Sequence, residues 1–84
     1  MKLRCVIGGT NANGSADFTF VIVNCTEEEY DLGEHYDAAT NWALHDQTFE
    51  YPVLVWDERE APAWLLERFV WESATTINTQ GVPV

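Results

Sequence analysis

The dipeptide Asn13-Gly14 lies between two runs of alternating apolar residues, and it constrains the fold more than any other feature of the chain. Asn-Gly is the strongest short-range signal for a hairpin because both residues tolerate the positive φ angles of a tight turn. We therefore predict strands over residues 2–8 and 17–25. A two-residue turn pairs residues whose numbers sum to 27. This register predicts a core face made by Leu3, Cys5, Ile7, Phe18, Phe20 and Ile22.

The cysteines and the N-terminus bear on the cellular compartment. In the predicted register Cys5 and Cys25 point to opposite faces of the sheet, so we expect two free thiols, which suits a reducing compartment. The start of the chain is basic and then apolar, but its apolar part is too short for a signal peptide. No apolar run reaches the length of a membrane span. We therefore expect a cytoplasmic protein of a bacterial host cell.

A helical region follows the hairpin. The segment Thr26-Glu27-Glu28-Glu29 matches the capping-box pattern, which predicts a helix beginning at Thr26, and Gly33 interrupts that helix. We predict one helical turn over residues 27–31 and a main helix over residues 34–45. Four residues at helical spacing should form the buried stripe: Leu32, Tyr36, Ala39 and Ala43.

The second half of the chain adds a strand and a short helix. Residues 49–56 favour a third strand, and Pro52 within it indicates an edge position. Ala61-Pro62 begins a short helix, because proline suits the first helical turn. Residues 70–79 favour a further strand by composition, and residues 80–84 resemble a loose tail.

These elements predict a single α+β domain over residues 1–84 in the order β-β-α-β-α. A right-handed connection through the main helix gives a small antiparallel sheet of about three strands in the order 2-1-3, or four strands if residues 70–79 pair. The main helix packs on one face of the sheet. The opposite face is also apolar, so we expect the short second helix or a partner to cover it.

The net charge of −10 is distributed unevenly along the chain. Between Arg4 and Arg59, residues 5–58 hold eleven carboxylates and neither lysine nor arginine. Such a surface repels nucleic acid and anionic lipid, and it attracts a basic protein. We therefore expect a basic protein partner, with no direct contact to nucleic acid or membrane.

The sequence offers no convincing motif for catalysis, cofactor binding or metal binding. The glycine-rich segment 8–15 lacks the lysine and the following helix of a phosphate-binding loop. His35 and His45 are ten residues apart, roughly 80° from a common helical face, so they do not readily share a zinc ion. We expect no enzymatic activity, no cofactor and no metal.

Residues 27–37 are the densest part of the acidic stretch, with six carboxylates in eleven residues. A continuous helix of this length spans ~15 Å, over which duplex DNA presents about nine phosphates. The acids could form a solvated helix face that favours the helix dipole, or a surface that binds a basic partner. Trp42, at the edge of the predicted buried stripe, is the best candidate for an exposed aromatic anchor. The predicted partner-binding residues are Glu27, Glu28, Glu29, Tyr30, Asp31, Glu34, Tyr36, Asp37 and Trp42.

In its size, its acidity and its lack of catalytic motifs, the chain resembles the small acidic inhibitors encoded by phages, which include DNA mimics and many anti-CRISPR proteins. The resemblance implies a stoichiometric inhibitor that occupies a basic nucleic-acid-binding surface, with a CRISPR effector as the leading example of a partner. The carboxylates of residues 27–37 would replace phosphates. Two alternatives stay open: an immunity protein or antitoxin that neutralises a basic nuclease toxin, and a structural subunit, such as a homodimer, that buries the apolar sheet face.

Overall fold

A four-stranded sheet forms the centre of the computed structural model, which describes residues 1–84. The strand order is β3-β1-β2-β4, with antiparallel pairs except for β4, which runs parallel to β2. This arrangement confirms the predicted α+β fold and the order 2-1-3, and it adds the fourth strand. In chain order the elements are β1 (Lys2–Asn11), β2 (Ala16–Asn24), α1 (Glu27–Asp31), α2 (Glu34–Asp46), β3 (Phe49–Asp57), α3 (Ala63–Leu66), a 3₁₀ turn (Trp71–Ser73) and β4 (Thr76–Ile77).

The hairpin register differs by one residue from the predicted one. Cys5 pairs with Val21, so partner numbers sum to 26, and the loop is longer than two residues. The side-chain oxygen of Asn11 accepts hydrogen bonds from the backbone N–H groups of Asn13 and Ser15, and Gly14 takes a φ of +81°. Because side chains alternate along a strand, this slip moves every residue of β2 to the other face of the sheet.

The core is therefore built from different residues of β2 than expected. Val21 and Val23 lie beside Leu3, Cys5 and Ile7, whereas the predicted core residues lie on the opposite face: Phe18, Phe20 and Ile22. The expectation that the two cysteines point to opposite faces is also wrong, because Cys25 joins Cys5 in the same buried cluster. Both thiols are free, which confirms that part of the prediction.

The two predicted helices form at the predicted positions. Thr26 caps α1 with both hydrogen bonds of a capping box, and Gly33 separates α1 from α2 in a left-handed conformation with φ +74°. The buried face of α2 matches the predicted stripe only at Ala39 and Ala43. Its other buried members are His35, Ala38 and Trp42.

The apolar sheet face opposite α2 is covered in part by the chain that follows β3. Leu65 in α3 is buried, and the Phe20 ring stacks on Phe69 at 4.7 Å and meets Trp71 edge-on at 5.2 Å. Pro52 lies in the edge strand β3, as predicted, after a cis peptide bond. The residues that follow the short second helix thus supply part of the expected cover.

The last residues are tied to the domain, so the prediction of a loose tail is wrong. The backbone N–H of Val84 donates to the carbonyl of Thr76, and that of Asn78 donates to Val82. Gly81 takes a φ of +82° and packs against the backbone of α2. Of the further strand expected within residues 70–79, only Thr76–Ile77 forms.

Candidate partner-binding surface

A cluster of acidic side chains lies where α1 meets α2. Glu28, Asp31 and Leu32 are three and four residues apart, so they share one face of α1. Gly33 then turns the chain, and the first turn of α2 adds two further acids: Glu34, which is half-buried, and Asp37, which is exposed. We use the name acidic corner for the surface made by Glu28, Asp31, Leu32, Glu34 and Asp37.

The carboxylates of the acidic corner have no cationic partner. Of the fourteen acidic side chains in the chain, three form salt bridges, and none of these three belongs to the corner. Arg4 pairs with Glu58 at 3.7 Å, and Arg59 pairs with Glu27 at 3.5 Å. The corner therefore projects negative charge that the protein itself does not neutralise.

Two of the predicted binding residues have internal roles instead. Glu29 accepts a hydrogen bond from the backbone N–H of Thr26 at 2.7 Å and another from the hydroxyl of Thr79 at 3.3 Å. The bond from Thr26 is the main reason why the pKa of Glu29 lies below its ordinary value. Glu27 is held by Arg59. Glu29 therefore stabilises the N-terminal end of α1, and Glu27 pairs with Arg59.

The two tyrosines predicted to lie beside the acids face a buried histidine–aspartate pair. His35 Nε2 lies 3.0 Å from Asp57 Oδ2, and both side chains are almost fully buried. The Tyr30 ring stacks on the His35 ring at 4.7 Å, and the Tyr36 hydroxyl lies 3.5 Å from Asp57 Oδ2. Both tyrosines are half-buried, and Tyr30 also packs against the core. They therefore connect α1 and α2 to the end of β3.

The buried pair could be extended to a metal site only by giving up its present hydrogen bonds. Ligand atoms of His35, Asp57 and Glu60 lie within 4.8 Å of one another. However, Asp57 Oδ2 already faces His35, and Asp57 Oδ1 accepts from the backbone N–H groups of Arg59 (2.8 Å) and Glu60 (3.1 Å). His35 Nδ1 is buried without a partner. Protein donors already occupy the Asp57 carboxylate. The His35–Asp57 pair therefore links α2 to β3, and we call this pair the brace.

The exposed apolar residue of the acidic surface is a leucine, not a tryptophan. Trp42 is only 4% exposed, so the prediction that it is an exposed anchor is wrong. The helical spacing predicts that Leu32 is buried, but it is 77% exposed. The chain turns at Gly33, directly after Leu32, so Leu32 does not continue the buried stripe of α2. Its position directly before this glycine is the signal that could have identified it. Among the tryptophans, Trp64 on α3 is the exposed one.

None of the family models, curated proteins or solved structures that were compared with this chain matches it. None of its helices combines the length and the apolar composition that crossing a membrane would require. The functional argument therefore rests on the surface itself.

Proposed function

We propose that this chain is a stoichiometric protein inhibitor that binds a basic, nucleic-acid-binding surface of a partner in the bacterial cytoplasm, in the manner of an anti-CRISPR or DNA-mimic protein. The observation that carries the proposal is the acidic corner: four carboxylates without a cationic partner, together with an exposed leucine between them in sequence. A surface that served only to keep the protein in solution would mix both signs of charge and would not need an exposed apolar side chain among its acids.

In the proposed mode of binding, charge controls association and apolar contact controls dissociation. The carboxylates attract a basic groove over a distance of about a Debye length, which accelerates association at low salt. Leu32 then supplies an apolar contact that slows dissociation, because buried anchors near the centre of an interface dominate its stability. The break at Gly33 places the acids on two helices instead of one, so they follow a bent surface.

The experiment is affinity capture from bacterial lysate at low and high salt, followed by mass spectrometry and by a nucleic-acid-binding assay on the captured complex. The binding variant reverses three corner acids that have no internal role: Glu28→Lys, Asp31→Lys and Glu34→Lys. We expect it to weaken binding to the captured complex by about tenfold or more, mainly through slower association. Leu32→Ser should leave the association rate unchanged and accelerate dissociation about tenfold.

A matched control separates the acidic corner from the total charge. Glu50→Lys, Glu67→Lys and Glu72→Lys change the net charge by the same amount at exposed positions outside the corner. This control should retain binding close to that of the parent at moderate salt. If both triple variants lose binding equally, total charge is responsible and the corner is not the binding surface. Capture of a complex that still binds nucleic acid with the inhibitor in excess contradicts the inhibitory role.

A further inference from the structure

An open apolar groove with a volume of about 720 Å³ lies on the sheet face opposite α2, near the hairpin end. Gly8 and Gly9 contribute to its lining without a side chain. A Cβ atom at Gly8 would lie 2.9 Å from the Phe18 ring and 3.0 Å from the Trp56 ring, so only glycine lets both rings approach the strand. Glycine inside a strand often marks a place where a ligand or another backbone approaches closely.

The edge strand β3 bends at the same place. Gly8 pairs with Leu54 and Thr10 pairs with Glu50, so the single residue Gly9 faces three residues of β3. The extra residues, with Pro52 in their middle, interrupt the ladder, and two of them, Pro52 and Val53, line the groove. A bulge and a proline also block regular addition of a further strand at this edge, so an occupant is held by side-chain contacts.

The groove combines apolar walls with two polar groups of opposite charge. Leu54, at its wall, is 66% exposed, which leaves apolar surface open to solvent. Asp17 and Arg68 also line the groove, and neither forms a salt bridge. The Arg68 guanidinium lies over the Phe18 ring, 5.2 Å from its centre. A ligand therefore finds an apolar surface, an unpaired anion and an unpaired hydrogen-bond donor.

We propose that this groove binds an extended segment of a protein partner that carries a large apolar side chain next to a lysine or arginine. The apolar side chain packs among Phe18, Leu54 and Trp56, the cation pairs with Asp17, and Arg68 donates to a backbone carbonyl of the segment. Charge selects this occupant over a second copy of the chain, because two molecules of charge −10 repel each other whereas a basic segment is attracted. The inference deepens the proposed function, on which it rests for the basic character of the partner.

The test uses defined peptides and two-dimensional amide NMR of the intact protein. The probe is acetyl-Lys-Phe-Leu-Lys-amide, with two matched controls: acetyl-Lys-Ser-Ser-Lys-amide keeps the charge, and acetyl-Glu-Phe-Leu-Glu-amide keeps the apolar pair. We expect the probe to shift the backbone signals of Gly8 and Gly9 and the indole signal of Trp56, and both controls to bind several times more weakly. Equal binding of the Ser-Ser control, or shifts confined to the acidic corner, overturns the proposal.

Variants at exposed positions test the named contacts without unfolding the domain. Leu54→Thr should weaken the probe about tenfold through lost apolar contact. Asp17→Asn should weaken it about two- to fivefold, the range of a solvent-exposed ion pair. The control Glu28→Gln, in the acidic corner, should leave probe binding unchanged. If neither groove variant has an effect, or if the Gly8 and Gly9 signals move with protein concentration alone, the proposal is wrong and, in the second case, a second copy fills the groove.

The results also distinguish this proposal from the proposed function. If capture from lysate depends on the acidic corner but the groove does not bind the probe, only the groove proposal is contradicted. If the groove binds the probe but capture is insensitive to corner reversal, only the acidic corner is contradicted as the binding surface of the proposed inhibitor.

Discussion

Loss of the Asp57 side chain should strongly destabilise this fold. Its carboxylate is fully buried and lies within hydrogen-bond distance of four groups: His35 Nε2 at 3.0 Å, the Tyr36 hydroxyl at 3.5 Å, and the backbone N–H groups of Arg59 and Glu60 at 2.8 and 3.1 Å. The variant Asp57→Ala leaves all four without this partner. Because His35 is buried and its Nδ1 already has no partner, it cannot find a replacement. The change should therefore release α2 from the end of β3.

The expected cost follows from the number of groups left unpaired. Removing one member of a buried pair costs about 3–5 kcal/mol. A domain of this size has a free energy of unfolding of about 4–13 kcal/mol at the usual stability per residue. The loss thus ranges from about a fifth of the free energy of unfolding to more than all of it. Asp57→Asn keeps an oxygen for the two backbone N–H groups and should cost about 1–2 kcal/mol.

Urea unfolding followed by tryptophan fluorescence and circular dichroism measures both variants. The exposed neighbour Glu60 supplies the control, since Glu60→Ala should change stability little. A double variant, His35→Ala with Asp57→Ala, should cost less than the sum of its single changes, because the two residues share one interaction. If Asp57→Ala costs less than about 1 kcal/mol, or if the two single changes are additive, the pair does not brace the fold.

Three further predictions concern the core and the chain end. Burial raises the pKa of Cys5 and of Cys25, so neither thiol should react with Ellman's reagent until urea unfolds the protein, and reaction in native buffer contradicts the packing. Because both folded-state pKa values lie above the ordinary thiol value, the contribution of the thiols to stability should be constant below a pH of about 9 and fall above it, where only the unfolded thiols ionise. Gly81→Ala should cost about 2 kcal/mol, since its Cβ would lie 2.9 Å from the Ala38 carbonyl oxygen at a positive φ. Gly14→Ala has a similar φ but lies in open space, so it should cost only about 1 kcal/mol. Equal costs of the two variants in urea unfolding would contradict the contact at Gly81.

Local signals in the sequence predict most of the architecture. The hairpin, the capping box at Thr26 and the break at Gly33 each depend on a few neighbouring residues, and all three are confirmed. The register between β1 and β2 depends on the length of the hairpin loop, which the sequence pattern does not fix. Both faces of β2 are apolar, so the hydrophobic pattern does not select between them, and the side chain of Asn11 decides the loop length. A one-residue error in the turn then exchanges the faces of the whole strand.

The candidate binding residues, too, could be predicted only as far as they depend on neighbouring residues in the sequence. Acid density along residues 27–37 is visible in the sequence, but which acids stay unpaired depends on contacts from far along the chain. Arg59 reaches Glu27 and the Tyr30 ring, and Thr79 reaches Glu29. No spacing rule relates such positions. The exposure of Leu32 follows from a left-handed glycine that redirects the chain, which helical periodicity does not represent.

The brace at His35 and Asp57 also bears on how the acidic corner would bind. His35 follows Glu34 directly, so the part of the acidic corner that lies on α2 is fixed to β3. A surface that is held in place before binding loses less conformational entropy when the partner arrives. Asp57→Asn, which should leave the domain folded, is therefore expected to weaken partner binding while it leaves the carboxylates of the corner unchanged. The groove lies on the opposite face of the sheet, so its affinity for the peptide probe should not follow this change. A parallel loss at both surfaces would mean that general destabilisation, and not the brace, is responsible.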